Sequence, residues 1–332
     1  MITKQSLLTG LFILLTVNPL QAGNPGISTQ TIETVKNKMP PLTISEAGSF
    51  STATKEYFAY YGLDSKTAKH HFGWYKSNTF KIASHVFIPE NPKGTVLILH
   101  GYFDHAGIVK TLIDLCIGQG FAVATIDLPG HGMSDGERGG IEDYSQYAAS
   151  IDNFILRYKA ALPSPLHLMG HSTGCAAGIE YLATTKENQV DKVIFIAPLV
   201  RSYLWGPSKT AFFLVKPFIK KLPRKFKKNS GNPEYLAFVK NDPLEVRYVS
   251  ARWFKALYNW NKRIVDYKKM SNSCLIIQGD KDKTVDWKYN LPFLQEKFSD
   301  LTIQVIKNGR HQLPNESMLI REKVFDGIRK FL

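Results

Sequence analysis

The sequence predicts an α/β fold: a mostly parallel central sheet with helices on both faces and a helical cap inserted into it. Two observations lead to this prediction. From Lys93 onward, short apolar runs alternate with longer amphipathic ones, which is typical of a parallel sheet covered by helices. Between Pro198 and about Met270 the alternation stops, and a stretch rich in aromatic residues, basic residues and prolines replaces it. So long an interruption predicts an inserted unit with helices of its own.

Each predicted strand is a short apolar run, and each predicted helix is a longer amphipathic one. Residues 72–75 and 81–87 predict an antiparallel hairpin that turns at Ser77-Asn78 and leads into the parallel part. No element is predicted for residues 23–65. The predicted strands of the parallel part are 95–99, 122–126, 166–169, 192–196, 274–278 and 302–306. The predicted helices that alternate with them are 108–119, 144–161, 175–184, 289–298 and 317–331.

The composition of the 332-residue chain excludes several classes of protein. Hydrophobic residues make up 44% of the sequence, enough for a large core, which excludes a disordered chain and a disulfide-stabilised mini-protein. No run of about 20 apolar residues occurs, so no membrane-spanning helix is predicted. Cys116, Cys175 and Cys274 are widely spaced among apolar or small neighbours. They predict buried free thiols, and neither a disulfide framework nor a metal site.

The first 22 residues have the features of an export signal. Lys4 gives a positive start, residues 7–17 form an apolar run, and Ala22 offers a small residue for cleavage after a helix break at Pro19. We therefore expect cleavage after Ala22 and export to the periplasm or the medium. The alternatives are a buried N-terminal helix and a short membrane anchor.

Positive charge is concentrated in the predicted insertion. The chain has 42 basic and 28 acidic residues, a formal net charge of +14, yet no acidic residue occurs between Lys192 and Pro233. The ten basic residues of this segment are Lys192, Arg201, Lys209, Lys216, Lys220, Lys221, Arg224, Lys225, Lys227 and Lys228. The aromatic residues interleaved with them are Trp205, Phe212, Phe213, Phe218 and Phe226.

Cations mixed with bulky apolar side chains are typical of a surface that rests on anionic lipid. We therefore expect residues 201–228 to make a peripheral contact with an anionic membrane. The alternative is a cap whose aromatic side chains pack on its own core while its lysines are only solvated. A nucleic-acid partner is not expected, because no recognition motif accompanies the charge.

Two stretches match the nucleophile motif G-x-S-x-G, at residues 132–136 and 170–174. The chemistry requires the serine on a sharp turn between a strand and a helix, where its hydroxyl is exposed. Ser172 follows a predicted strand and precedes a predicted helix, whereas Ser134 is flanked by neither. Ser172 is therefore predicted to be the nucleophile, and Ser134 a loop residue.

A serine hydroxyl needs a base to take its proton and an acid to orient that base. Both are expected downstream of the serine, in the order acid then histidine. His311 is the one histidine downstream of Ser172, and it follows the last predicted strand. Three aspartates after the strand 274–278 compete for the role of the acid, namely Asp280, Asp282 and Asp286. Spacing alone gives only a modest preference for Asp282.

The oxyanion of the reaction needs two backbone N–H donors. One comes from the residue after the nucleophile and one from the loop after an early strand. Thr173 is predicted to supply the first. In the loop after strand 95–99, Gly101 permits a backbone turn and Tyr102 is predicted to supply the second. His100 precedes the serine in the chain and is assigned a positioning role.

With these residues in place, the chain resembles the serine α/β-hydrolases of the monoacylglycerol lipase and lysophospholipase group, related to the serine aminopeptidase S33-like hydrolases. The resemblance extends from about Phe72 to the C-terminus. The early loop departs from the group's HGxxEH pattern, since Asp104 stands where glutamate is usual. The similar motifs are HGYFDH at 100–105, DLPGHGMSDGERG at 127–139, GHSTG at 170–174, NDPL at 241–244 and GRHQLPNE at 309–316.

The resemblance implies an α/β-hydrolase fold, an acyl-enzyme intermediate and no cofactor. The group's acid lies three residues past the glycine of its GxxD motif, which implies Asp282 after Gly279. The implied organisation is a signal peptide at 1–22, a first core part at 23–197 with the nucleophile, a basic aromatic cap at 198–270, and a second core part at 271–332 with the acid and the histidine.

The function expected from these features is hydrolysis of the carboxylic ester of a single-acyl lipid, either a lysophospholipid or a monoacylglycerol. One alternative is a peptidase of the same fold, which needs carboxylates in the cap to hold a free amine; Glu234, Asp242 and Glu245 are the candidates. Another is a non-catalytic protein that binds lipid or an anionic surface.

Overall fold

A computed structural model of the protein describes residues 26–45, 49–215 and 219–332. The predicted export signal lies outside these ranges, as do Lys216 and Phe218 of the insertion. Within them, no helix is long and apolar enough to cross a membrane.

Eight strands of the described ranges form one sheet in the order β1-β2-β4-β3-β5-β6-β9-β10. β2 pairs antiparallel with both β1 and β4, and every later pair in the sheet is parallel. The strands are β1 (Ala68–Ser77), β2 (Phe80–Pro89), β3 (Thr95–Leu99), β4 (Ala122–Ile126), β5 (Leu166–His171), β6 (Lys192–Ile196), β7 (Lys221–Pro223), β8 (Tyr248–Ser250), β9 (Met270–Gly279) and β10 (Phe298–Ile306). The predicted hairpin and the six predicted parallel strands are confirmed.

Ten α-helices lie in the same ranges. They are α1 (Thr29–Lys38), α2 (Thr52–Tyr61), α3 (Lys110–Gly118), α4 (Ser145–Tyr158), α5 (Thr173–Thr184), α6 (Trp205–Val215), α7 (Pro233–Asn241), α8 (Ala251–Arg263), α9 (Trp287–Lys297) and α10 (Met318–Phe331). The five predicted helices are confirmed as α3, α4, α5, α9 and α10. α1 and α2 occupy the segment for which no element is predicted, and Ser28 and Ser51 cap their first turns.

Two hydrophobic clusters cover the two faces of the sheet. One contains α4, α5 and α8, with Tyr147 and Trp260 among its fully buried members. The other contains α2, α3 and α10, with Tyr57 and Phe325 fully buried. β3, β4 and β5 are buried along their whole length. A parallel sheet covered on both faces therefore holds the ends of its central strands in fixed positions.

The segment between β6 and β9, where the sequence predicts an insertion, holds α6, α7, α8 and the antiparallel pair of β7 and β8. Trp205 and Phe212 of α6 are buried against Phe254 of α8, with ring centroids 5.7 and 4.5 Å apart. In contrast, Phe213 and Phe226 are exposed. The aromatic residues of the insertion therefore divide between buried positions, where Trp205 joins the cluster that contains α8, and an outer surface.

The three cysteines are buried and free, as predicted. Among the described residues, no group of three histidine, cysteine, aspartate or glutamate side chains is arranged to hold a metal ion.

Candidate active site

Ser172 lies at a sharp turn between the end of β5 and the start of α5. Its backbone has φ 52° and ψ −111°, a conformation that non-glycine residues rarely adopt, and its N–H donates to the carbonyl of Ile196 at 3.0 Å. The turn leaves no room for side chains beneath it: a Cβ on Gly170 would lie 2.7 Å from the backbone nitrogen of Cys175, and one on Gly174 would collide with the carbonyl of Leu99. This strained turn points the hydroxyl away from the sheet.

A chain of hydrogen bonds joins Ser172, His311 and Asp282. The Ser172 Oγ lies 3.0 Å from Nε2 of His311, and the Nδ1 of His311 lies 2.8 Å from Oδ2 of Asp282. All three side chains are buried. His311 follows β10 and Asp282 follows β9, so the carboxyl ends of neighbouring parallel strands bring them to the turn that carries Ser172. This geometry suits a hydroxyl nucleophile, a base and an acid that orients the base.

The Asp282 carboxylate is held on both of its oxygens. Oδ1 accepts from the backbone N–H groups of Thr284 and Val285, and Oδ2 accepts from the side-chain amide of Gln278 at 3.1 Å in addition to His311. Burial by itself would raise the pKa of Asp282, but the facing His311 and these hydrogen bonds lower the pKa below its usual value overall. Asp282 is therefore an anion at neutral pH.

The other two candidate aspartates do not face His311. Asp280 accepts a hydrogen bond from the backbone N–H of Asn308 at 2.6 Å, and the backbone carbonyl of Asp286 accepts from Tyr289 and Asn290 at the start of α9. Of the three, Asp282 is the one whose carboxylate lies within hydrogen-bond distance of the histidine.

The loop after β3 places Tyr102 in the lining of the same pocket as Ser172 and His311. Neither the backbone N–H of Tyr102 nor that of Thr173 has a hydrogen-bond partner among the described residues, so both are available to an oxyanion. His100 supports the start of this loop. Its Nε2 accepts from the N–H of Leu128 at 2.9 Å, which leaves Nδ1 to donate to the carbonyl of Gly101 at 2.8 Å. The positioning role predicted for His100 agrees with these bonds.

The side chain of Tyr102 ties the same loop to the insertion. Its hydroxyl donates to the carbonyl of Gly139 at 2.6 Å and accepts from the N–H of Ser250 at 3.0 Å, and its ring stacks on Trp253 with centroids 3.9 Å apart. Phe103, the next residue, has a left-handed backbone with φ 73°, and its carbonyl accepts from Val246 of the insertion. The insertion therefore helps to hold the strained loop.

A buried cluster that the sequence reasoning missed connects three distant segments behind this loop. Asp242 of the insertion accepts hydrogen bonds from His105 at 2.9 Å and from the Tyr61 hydroxyl of α2 at 2.6 Å. It also accepts from the N–H of Leu244 at 2.8 Å. The NDPL motif marks Asp242 in the sequence, but nothing in the sequence indicates that Tyr61 is its partner.

Asp104, which stands where the group usually has glutamate, is buried and lines the same cavity as Ser172 and His311. It accepts from the side-chain amide of Gln312 at 3.2 Å and lies 3.6 Å from Nδ1 of His171. Burial tends to raise the pKa of Asp104, but His171, the positive charge of Arg224 and the Gln312 hydrogen bond together lower the pKa to about 2. Although aspartate is shorter than glutamate, Asp104 still holds the side chain of Gln312, the residue after His311.

Ser134, the serine of the second G-x-S-x-G motif, is buried in the loop between β4 and α4. Its hydroxyl donates to the carbonyl of Asp127 at 2.6 Å and accepts from the N–H of Ala83 at 2.8 Å. The hydroxyl of Ser134 thus both donates and accepts a hydrogen bond within the protein, which indicates a structural role.

A cavity of about 620 Å³ opens directly onto Ser172, Thr173 and His311. Such a volume falls in the range of small-molecule sites. The insertion forms much of its wall, and the apolar residues that line it include Leu199, Leu236, Val239, Val249, Trp253 and Phe254. The hydroxyl of Ser172 therefore faces a largely apolar chamber.

The chain is similar in sequence to several known hydrolases. It is 26% identical over 207 residues to the phospholipase YtpA of Bacillus subtilis, covering 59% of this chain and 79% of that protein. It is 26% identical over 254 residues to the monoglyceride lipase of Homo sapiens, covering 73% of this chain and 82% of that protein.

In structure, the chain is similar to a soluble variant of the monoglyceride lipase of Saccharomyces cerevisiae. The TM-score is 0.69 at 19% sequence identity, and the superposition covers 81% of this chain and 96% of that one, so the two share the α/β-hydrolase fold. Residues 90–318 match the model of the family described as serine aminopeptidase, S33. Since this match covers more than half of the sequence, the chain belongs to the serine aminopeptidase S33 family of α/β-hydrolases.

Proposed function

We propose that the protein is a serine hydrolase that cleaves the carboxylic ester of a single-acyl lipid, either a lysophospholipid or a monoacylglycerol. The observation that carries the proposal is the hydrogen-bonded series Ser172–His311–Asp282 at the wall of a large apolar cavity. The series suits acyl transfer, and the cavity suits an acyl chain. The relatives named monoglyceride lipase and phospholipase support the same substrate class.

The reaction follows from these positions. The Oγ of Ser172 adds to the ester carbonyl carbon while Nε2 of His311 takes the hydroxyl proton. The N–H groups of Tyr102 and Thr173 donate to the resulting oxyanion. Collapse breaks the bond to the leaving alcohol, which takes the proton from His311. Water then attacks the acyl-enzyme with His311 again as base, which releases the fatty acid and restores Ser172.

The peptidase alternative requires a free carboxylate near the cavity to hold an amine. Two of the three candidates are buried and already paired, since Asp242 binds His105 and Tyr61, and Glu245 pairs with Arg224. Glu234 is exposed in the first turn of α7 and does not line the cavity. Asp104 does line the cavity, but its carboxylate already contacts the side chains of Gln312 and His171.

A substrate panel tests the proposed function. The protein is expected to hydrolyse 1-decanoylglycerol and decanoyl lysophosphatidylcholine and to leave aminoacyl nitroanilides intact, with free fatty acid and nitroaniline release as the measurements. Nitroanilide cleavage without ester cleavage would favour a peptidase. Vesicle binding without any hydrolysis would favour a lipid-binding protein on a hydrolase scaffold.

The outer surface of the insertion supports a peripheral contact with an anionic membrane through residues 201–228. Six of the eleven exposed large hydrophobic side chains of the described residues lie there, namely Tyr203, Leu204, Phe213, Leu214, Leu222 and Phe226. Two basic residues of the segment are not available to contact a membrane, because Arg201 packs on Tyr289 and Arg224 pairs with the buried Glu245. The exposed lysines around the apolar side chains carry the proposed contact.

Reversing Lys220, Lys221, Lys227 and Lys228 to glutamate is expected to lower binding to phosphatidylglycerol vesicles by at least about 100-fold, since each cation near the surface contributes on the order of 1 kcal/mol. Co-sedimentation at low salt measures the effect. The control reverses four exposed lysines outside the proposed contact segment 201–228, Lys55, Lys66, Lys268 and Lys269, which we call the distant lysine set. If both variants lost vesicle binding equally, the loss would be due to the change in net charge and not to the position of the lysines.

We also propose that the protein is exported to the periplasm or the medium and that residues 1–22 are removed. N-terminal sequencing of the mature protein from the natural host is expected to begin at Gly23. Recovery of the protein from the cytoplasm with Met1 retained would contradict this.

A further inference from the structure

A basic groove adjoins the apolar cavity at His311. It is lined by Lys227 and Lys228 of the insertion, by Lys281 and Lys283 of the loop after β9, and by Arg310 beside the histidine. The three segments are distant in the sequence, and the fold brings them to one side of His311. The groove is continuous with the cavity, because Lys227, Lys228, Asn229, Lys283, Thr284 and His311 line both.

The charge of this groove is largely uncompensated. The side chains of Lys227, Lys228, Lys281 and Lys283 are exposed, and none of them forms an ion pair with a carboxylate among the described residues. Arg310 has a partner, Glu316, at 3.6 Å. Among the described residues, no aspartate or glutamate lines the groove. Four unpaired cations on one rim concentrate a positive potential at the mouth of the cavity.

The position of the groove beside His311 relates it to the leaving group of the substrate. In ester hydrolysis, His311 must pass its proton to the leaving alcohol, so that alcohol lies against His311 when the ester bond breaks. The acyl chain lies on the other side of the ester, in the apolar cavity. Whatever is attached to the leaving oxygen therefore extends along the side of His311 where the groove lies.

We propose that Lys227, Lys228, Lys281 and Lys283 form a subsite for an anionic phosphate on the leaving group, so that the preferred substrate is a lysophospholipid with a net negative headgroup. This inference rests on the proposed function and names its substrate class. Lysine side chains bind phosphate as point charges, and four of them match a phosphodiester better than the uncharged glycerol of a monoacylglycerol. The absence of carboxylates from the described groove lining disfavours a choline headgroup, whose ammonium has no partner there.

Three esters with the same decanoyl chain test the subsite: lysophosphatidylglycerol, lysophosphatidylcholine and 1-decanoylglycerol. All are used below their critical micelle concentrations, so that binding to a lipid surface does not contribute. The wild-type kcat/KM is expected to be at least about tenfold higher for lysophosphatidylglycerol than for the other two. Replacing Lys227, Lys228, Lys281 and Lys283 with glutamine is expected to lower this preference about tenfold or more.

The preference is a ratio of kcat/KM values for two substrates. Lys281 and Lys283 flank Asp282, but a disturbance of the triad by their replacement lowers both values alike and leaves the ratio unchanged. Changing the distant lysine set to glutamine removes the same number of charges and is expected to leave the preference unaltered. A wild-type protein without preference, or one whose preference survives in the groove variant, would overturn the subsite. Hydrolysis of none of the three esters would instead contradict the proposed function.

A second arm distinguishes a lipid headgroup from a free anion. Inorganic phosphate is added to wild-type protein that hydrolyses nitrophenyl butyrate, which has no phosphate of its own. For a headgroup subsite, we expect only weak inhibition, because free phosphate lacks the acyl chain that adds binding energy. Strong competitive inhibition by phosphate, together with no preference among the three lipid esters, would assign the groove to a free anion and overturn the proposal.

Discussion

Replacing Ser172 with alanine is expected to lower kcat for ester hydrolysis by about 10⁶-fold, the order of loss found when the nucleophile of a serine triad is removed. The physical reason is that His311 and Asp282 then have no hydroxyl to activate at the wall of the cavity. Residual turnover depends on water attacking an ester that the oxyanion donors still polarise. Fatty acid release measures the rate, and a fluorophosphonate probe is expected to label the wild type and not the variant.

The second G-x-S-x-G motif provides a matched control. Ser134→Ala removes a buried hydroxyl that both donates to Asp127 and accepts from Ala83, so we expect a loss of about 1–3 kcal/mol in the free energy of unfolding. It is expected to keep most of the wild-type kcat and to react with the probe, since Ser172 is untouched. More than a hundredth of wild-type activity in Ser172→Ala would remove Ser172 from the nucleophile's role.

The strands were predictable because their burial makes them continuous apolar runs. β3, β4 and β6 begin and end at the predicted residues. β9 and β10 begin several residues earlier than predicted, where polar residues such as Ser273 and Asp300 still pair in the parallel ladder. At the ends of strands, main-chain pairing does not require apolar side chains, so a prediction from hydrophobicity misses these first residues.

Parts of the site depend on contacts that no local pattern encodes. Spacing left Asp280, Asp282 and Asp286 as candidates, and the choice depends on which carboxylate the fold turns towards His311. The same holds for the aromatic residues of the insertion: Trp205 and Phe212 are buried against α8 while Phe213 is exposed, although all three lie in one helix of similar local composition. The basic groove is a further case, since its lysines come from separate segments.

The second large effect is expected for Asp282→Asn, which should lower kcat by about 10⁴-fold, as a wrong histidine tautomer does in other serine triads. Two backbone N–H groups, from Thr284 and Val285, donate to Oδ1 of Asp282. In the variant, these donors require the amide oxygen at that position, so the NH₂ group takes the place of Oδ2 and faces Nδ1 of His311. The histidine then accepts at Nδ1 and keeps its proton on Nε2, where it cannot take the proton of Ser172.

Asp280→Asn is the matched control for this change. It lies in the same loop and loses the same charge. Within the described ranges, however, its Oδ1 binds only the N–H of Asn308, and an asparagine oxygen accepts that bond equally well. We therefore expect kcat close to wild type. Fluorophosphonate labelling separates a wrong tautomer from misfolding, because Asp282→Asn should label slowly while its melting temperature stays near that of Asp280→Asn. If both variants retained more than a tenth of wild-type kcat, the carboxylate of Asp282 would not be what holds His311 in the reactive tautomer.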